Sequence, residues 1–206
     1  MPFRIARLLP LLSLALFGLA LPSPVPAQDG REAPEIATGA VEEACTTVFL
    51  VRHAEKAKDD PRDPSLSEAG EARAEALARL LGSSGVTHLF ASEYKRTQDT
   101  LEPLSGAAGL ANLILPVKVV PARKADVLIG ELRGLPHGSV AVVAGHSNTV
   151  PAIASALGCE LTTVEKRGQA RMLAEDEYDR LFVLTLPPDG AKGVAPSFVE
   201  LRYGAE

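Results

Sequence analysis

Apolar residues recur along this chain in two rhythms that alternate. Thr46–Arg52 ("TTVFLVR") is a continuous β-branched and apolar run, the pattern of a strand buried on both faces. A polar loop with Pro61 and Pro64 follows. "EAGEARAEALARLLGSSG" then places Ala69, Ala72, Ala76, Leu77, Leu80 and Leu81 at helical spacing, with Ser67 as a candidate N-cap and Gly82 and Gly85 as a stop. The rhythm returns to strand in "VTHLFAS" (86–92) and to helix in "EYKRTQDTLEPLSGAAG", where Pro103 is a candidate kink or stop. "LPVKVV" reads as a third strand, "ADVLIGELRGL" as a helix, "SVAVVAG" (139–145) as a buried strand and "NTVPAIASALG" as a helix. "RLFVLTL" and "SFVELRY" close the chain as two strands. Strands separated by helices predict an α/β fold: a three-layer sandwich with a central, mostly parallel sheet and helices on both faces. Only a Pro/Gly loop separates the final two strands, so one of them is expected to run antiparallel at an edge.

The amino-terminal stretch stands outside that pattern. Arg4 and Arg7 precede an apolar run from Leu8 to Leu21, and Val25-Pro26-Ala27 offers small residues for cleavage. This layout is that of a secretory signal peptide over 1–27. The run is short for a membrane span, which takes about 20 residues. Residues 28–44 are polar, with Gly and Pro and no apolar period, and read as a flexible leader. Residues 45–206 remain as one domain. The expectation is a protein exported to the periplasm or outside the cell, with no stable membrane insertion after cleavage, acting as a monomer.

Charge narrows the partners. The chain carries a net charge of −5, and cleavage after Ala27 would remove two arginines and no carboxylate. An acidic domain is a poor nonspecific binder of nucleic acid, so no nucleic-acid partner is expected.

Within that acidic background, four basic or ring side chains fall at strand ends. Arg52 and His53 follow the first strand, Arg96 follows the second in "ASEYKRTQDT", and His146 follows "VAVVAG". Ligands of open α/β sheets bind beyond the carboxyl ends of the strands, and a helix amino terminus after Gly145 favours anions there. Arginine offers a planar fork for phosphate oxygens, and a neutral histidine nitrogen is a nucleophile. Two arginines and two histidines on one rim therefore point to a phosphorylated substrate.

These residues carry a family resemblance. "LVRHAEK" resembles the Arg-His-Gly motif of the histidine phosphatase superfamily, the phosphoglycerate mutase-like proteins. "LSEAGEARA" resembles its Leu-Thr/Ser-x-x-Gly segment, "ASEYKRTQDT" its Ser-x-x-x-Arg-x-x-x-Thr segment, and "VVAGHSNTV" its late Gly-His motif. The resemblance implies that His53 is the catalytic nucleophile, that Arg52 and Arg96 bind the phosphate, and that His146 completes the catalytic pair. Ala54 stands where the family usually has glycine. The family's general acid has no clear counterpart: Glu55, Asp126 or none fills the role. The short connections resemble the compact phosphohistidine-phosphatase branch, implying hydrolysis of a phosphomonoester or phosphoramidate through a phosphohistidine, with no cofactor and no metal.

A disulfide between Cys45 and Cys159 is also expected. Cys45 precedes the first strand, the helix after His146 runs back toward the same end of the sheet, and the family places the two strands near the sheet centre. Export favours a bridge. Two other functions stay open: a non-catalytic phospho-ligand binding module of the cell envelope, and a metal-dependent hydrolase using His53, Glu55 and His146.

Overall fold

The computed structural model describes residues 44–107, 114–188 and 191–204. The expected signal peptide and all but the last residue of the leader lie outside the described residues. Six strands form one sheet in the order β3-β2-β4-β1-β7-β8. They are β1 (Thr46–Arg52), β2 (His88–Ala91), β3 (Val117–Val119), β4 (Val140–Gly145), β7 (Arg180–Leu186) and β8 (Ser197–Arg202). Strands β1 to β4 pair in parallel, while β7 pairs antiparallel with both β1 and β8. The antiparallel strand is therefore internal, and β8 forms the edge. A separate hairpin, β5 (Glu165–Arg167) with β6 (Ala170–Met172), precedes β7.

The strand period of two sorts the core into layers. Val48, Leu50, Phe90, Ala141 and Val143 face α3 (Ala125–Arg133) and α4 (Thr149–Ala156), meeting Leu128, Leu132, Val150 and Ile153. Val51, Leu89, Ala91, Val142 and Ala144 face α1 (Glu68–Leu81) and α2 (Lys95–Ala107), meeting Leu77, Leu81, Leu101 and Leu104. Burying both sheet faces this way explains why β1 and β4 are apolar without alternation. The sandwich has the three expected layers, and the described residues belong to one compact unit. Ser67 caps α1, its hydroxyl accepting from Gly70 N–H. Pro103 lies inside α2 without ending it. Among the described residues no helix is long and apolar enough to cross a membrane.

The parallel register decides where the site forms. Arg52 pairs with Gly145, and Ala91 with Ala144. The residues following β1, β2 and β4 therefore emerge side by side at one sheet end, with neighbouring strands about 4.8 Å apart.

Candidate active site

His53 extends the β1–β4 ladder by one bond, its N–H donating to Gly145 O at 2.9 Å. The next residue turns away from the sheet: Ala54 N–H donates to Thr100 Oγ1 at 2.9 Å, and that hydroxyl donates to Arg96 O at 2.6 Å. The loop carrying His53 is thereby fastened to the helix carrying Arg96, which gives the threonine of the Ser-x-x-x-Arg-x-x-x-Thr pattern a mechanical reason. The Ala54 methyl is fully buried against Leu66 and Ala74. Gly70 has a steric one: a Cβ there would meet Glu55 O at 2.2 Å. That carbonyl accepts the Ser67 N–H.

The His53 ring has a defined protonation. Its Nδ1 lies 2.8 Å from Ala54 O. A carbonyl only accepts, so Nδ1 carries the hydrogen and Nε2 keeps a lone pair. The side chain is 5 % exposed. Burial lowers its pKa to about 3 against the pull of the Ala54 carbonyl, and the neighbouring His146, Arg96 and Arg52 lower it further. At neutral pH the ring is uncharged, in a cleft it shares with Arg52 and Arg96.

His146 stands beside it, the ring centroids 5.4 Å apart and edge to face. Its Nε2 lies 3.0 Å from Ser92 Oγ, and Ser92 Oγ lies 2.8 Å from Thr97 Oγ1. The Tyr94 ring meets it edge-on at 5.3 Å. Burial and the Arg96 charge, opposed by Glu93, bring its pKa to about 4. Gly145 makes the turn into α4 possible, because a Cβ there would lie 2.8 Å from Thr149 Oγ1, the atom that accepts His146 N–H. Arg96 is positioned from two sides, its guanidinium 4.3 Å over the Tyr94 ring and 3.6 Å from Asp63.

Arg52 is held differently. Its Nη1 donates to the carbonyls of Ala174, Glu175 and Glu177 at 2.8, 2.9 and 3.2 Å. Its Cζ sits 4.1 Å over the Tyr178 ring, and its buried Nε has no partner. Together Arg52, His53, Arg96 and His146 line one cleft of about 580 Å³ with Lys56, Glu93, Arg123 and Glu175. The structure thus brings the four expected residues together.

The alternatives left open for a general acid and for a metal-ligand set do not gather in the cleft. The Glu55 carboxylate is gripped by Arg73 in a two-pronged pair, at 3.0 and 2.7 Å to one oxygen and 2.9 Å to the other. Neither it nor Asp126 lines the cleft. The metal-ligand set His53, Glu55 and His146 is therefore not assembled, and no group of three metal-ligating side chains gathers among the described residues. The Cys45–Cys159 bridge is corrected as well: both cysteines are free, Cys45 exposed and Cys159 buried. Alternation explains it. Val48 and Leu50 face the layer that holds Cys159 and buried Thr46 shares their parity, so Cys45, one residue earlier, belongs to the opposite face.

Sequence reasoning passed over several contributors. Ser92, Tyr94 and Thr97 lay within a quoted motif whose arginine alone drew notice. The β5–β6 hairpin is itself a polar stretch, "EKRGQARM", with no strand alternation, and Tyr178 follows it; the one cue is Gly168, at φ 64° in the turn.

Part of the chain resembles known proteins. Residues 48–122 match the family model described as histidine phosphatase superfamily (branch 1). Two curated relatives are each named "Probable phosphoglycerate mutase GpmB". The one from Yersinia enterocolitica is 38% identical over 69 residues, covering 31% of this chain and 32% of the relative. The one from Erwinia tasmaniensis is 32% identical over 96 residues, covering 41% and 45%. The matched part thus spans less than half the length of either. Among solved structures, the protein histidine phosphatase SixA complexed with tungstate superposes with a TM-score of 0.55 at 21% identity, covering 76% of this chain and 96% of that one. At that identity the likeness is one of fold.

Proposed function

We propose that the chain is a member of the histidine phosphatase superfamily, whose model matches residues 48–122, and that it is a phosphatase that takes a phosphoryl group onto His53 and passes it to water. One observation carries this reading: a neutral, buried imidazole whose Nδ1–H is fixed on Ala54 O, leaving the Nε2 lone pair in a cleft shared with two arginines. In the first step Nε2 attacks phosphorus, a P–N bond forms, and the bond to the leaving group breaks. The departing atom takes a proton from water. In the second step water attacks the phosphohistidine, its proton is released, and inorganic phosphate leaves with the ring neutral again. Arg52 and Arg96 offset the charge on the equatorial oxygens. His146, oriented by Ser92, supplies a further polar contact.

The leaving group is narrowed by what the cleft offers as an acid. Burial raises the Glu93 pKa, but hydrogen bonds from Ala122 N–H and its own backbone, with His146 and Arg123 nearby, leave it below the usual range. A carboxylate held ionised is a poor proton donor. The reading therefore favours a substrate whose leaving group departs with little protonation, a phosphoramidate or the ester of an acidic alcohol. We further propose that the enzyme works without a metal, and works outside the cytoplasm after removal of residues 1–27, on the strength of their charge and apolar pattern.

A panel of phosphoramidates, aryl phosphates and alkyl phosphates, offered in excess EDTA to the wild type and to His53→Ala, tests the reading. Turnover of the first two classes by the wild type alone is expected. No turnover of any member, with phosphate still bound, would replace it with the binding-module reading.

A further inference from the structure

The arrangement around Arg52 goes beyond the presence of two arginines. A guanidinium presents two nitrogens along each fork, and here one nitrogen is fully engaged. Nη1 donates to three carbonyls of a single segment, at Ala174, Glu175 and Glu177. Tyr178, the next residue, lays its ring under the guanidinium at 4.1 Å from Cζ, and its hydroxyl lies 3.4 Å from Nη2. The same ring stands 5.9 Å from that of His53. The segment is fastened at its start, where Leu173 N–H donates to Ser147 O at 2.8 Å, beside His146. What remains of Arg52 for a ligand in the cleft is Nη2, whose contact with the Tyr178 hydroxyl is long. Nε is buried without a partner, out of reach of an incoming oxygen.

We propose that Tyr178 is a positioning residue. With the carbonyls of 174, 175 and 177, its ring fixes the Arg52 guanidinium so that Nη2 is offered to the phosphoryl oxygens in the cleft, and the same ring stands beside His53. This rests on the phosphatase reading above. Arg52 is thus oriented by a segment more than a hundred residues away, whereas Arg96 is oriented by Tyr94 and Asp63 within its own neighbourhood. The two arginines share a device, a tyrosine ring beneath the guanidinium, drawn from different parts of the chain. The interaction that orients Arg52 is the ring face, since the hydroxyl contact is long.

The test compares Tyr178→Phe, Tyr178→Leu and Tyr178→Ala with the wild type, reading inorganic phosphate affinity by calorimetry and kcat and KM on an aryl phosphate. Phe keeps the ring and should bind phosphate within about twofold of wild type. Leu and Ala should weaken phosphate binding by roughly three- to thirtyfold, the span of a guanidinium–ring interaction, with a matching rise in KM. Tyr178 is only half-buried, and Leu keeps apolar cover should Ala fail to fold. A Leu or Ala variant with wild-type phosphate affinity would overturn the assignment, as would a Phe variant as weak as Ala. Those results leave the phosphatase reading intact; a wild type that neither binds phosphate nor turns over any aryl phosphate removes both.

Discussion

The two histidines of the cleft share an unusual condition: both are neutral well below the pH at which a free imidazole titrates. Desolvation is the main cause, with pKa values of about 3 for His53 and about 4 for His146. A sign follows for stability. Below an unfolded-state value of about 6.5 the unfolded chain binds protons that the native rings do not. Stability is therefore full above about pH 6.5 and falls as pH drops toward 4 and 3. Urea midpoints should decline from pH 7 to pH 4.5, and the decline should shrink in a His53→Gln/His146→Gln variant; an unchanged pH slope would contradict it. In NMR titration neither ring should show a midpoint near 6.5. Arg96 makes the second residue-scale prediction. A lysine cannot reproduce a planar fork or its stacking on Tyr94. Losing one charged hydrogen bond, about 1.5–3 kcal/mol, lowers kcat/KM roughly ten- to hundredfold. An Arg96→Lys enzyme with wild-type kinetics would make Arg96 a bystander.

At the scale of elements, two glycines give opposite predictions for the same substitution. Gly70 lies in α1 against the Glu55 carbonyl, where a Cβ would come within 2.2 Å of the oxygen. Gly70→Ala should destabilise by about 1–3 kcal/mol and disturb the loop that follows His53. Gly130 lies in α3 with nothing within 4 Å of its would-be Cβ. Gly130→Ala should stabilise by about 0.5–1 kcal/mol through helix propensity. Urea unfolding of both variants checks the pair, and equal shifts would refute the contact argument. The legible and illegible parts of this fold divide along similar lines. The strands β1 and β4 and the helix α1 announced themselves because burial imposes a period on their residues. The register that aligns Arg52 with Gly145 is a relation between distant segments, so the sequence could suggest a shared rim but not the 5.4 Å between the rings. Tyr178 left no local signal, since its role depends on where β7 pairs. An antiparallel strand among the last two was legible, but its place was not, for the same reason: β7 lies between β1 and β8 rather than at the edge.

Across the molecule, the error over the cysteines shows how finely a sandwich sorts its residues. Topology brought both to the correct end of the sheet, yet strand parity assigned them to opposite layers. Cys45 is exposed, whereas Cys159 is 2 % exposed and burial raises its thiol pKa. One thiol should therefore react with an aromatic disulfide reagent in the native protein and two after unfolding. A protein with none after unfolding would restore the bridge. In this acidic molecule the proposed phosphate chemistry lies in one cleft and turns on a bond made there. The direct measurement is rapid-quench trapping of the enzyme with a radiolabelled phosphoryl donor. The account predicts label on the wild-type protein that is stable in alkali, lost in acid, chased by water, and absent from His53→Ala. Label that persists in His53→Ala, or turnover by the wild type with no labelled enzyme at any time, would contradict it.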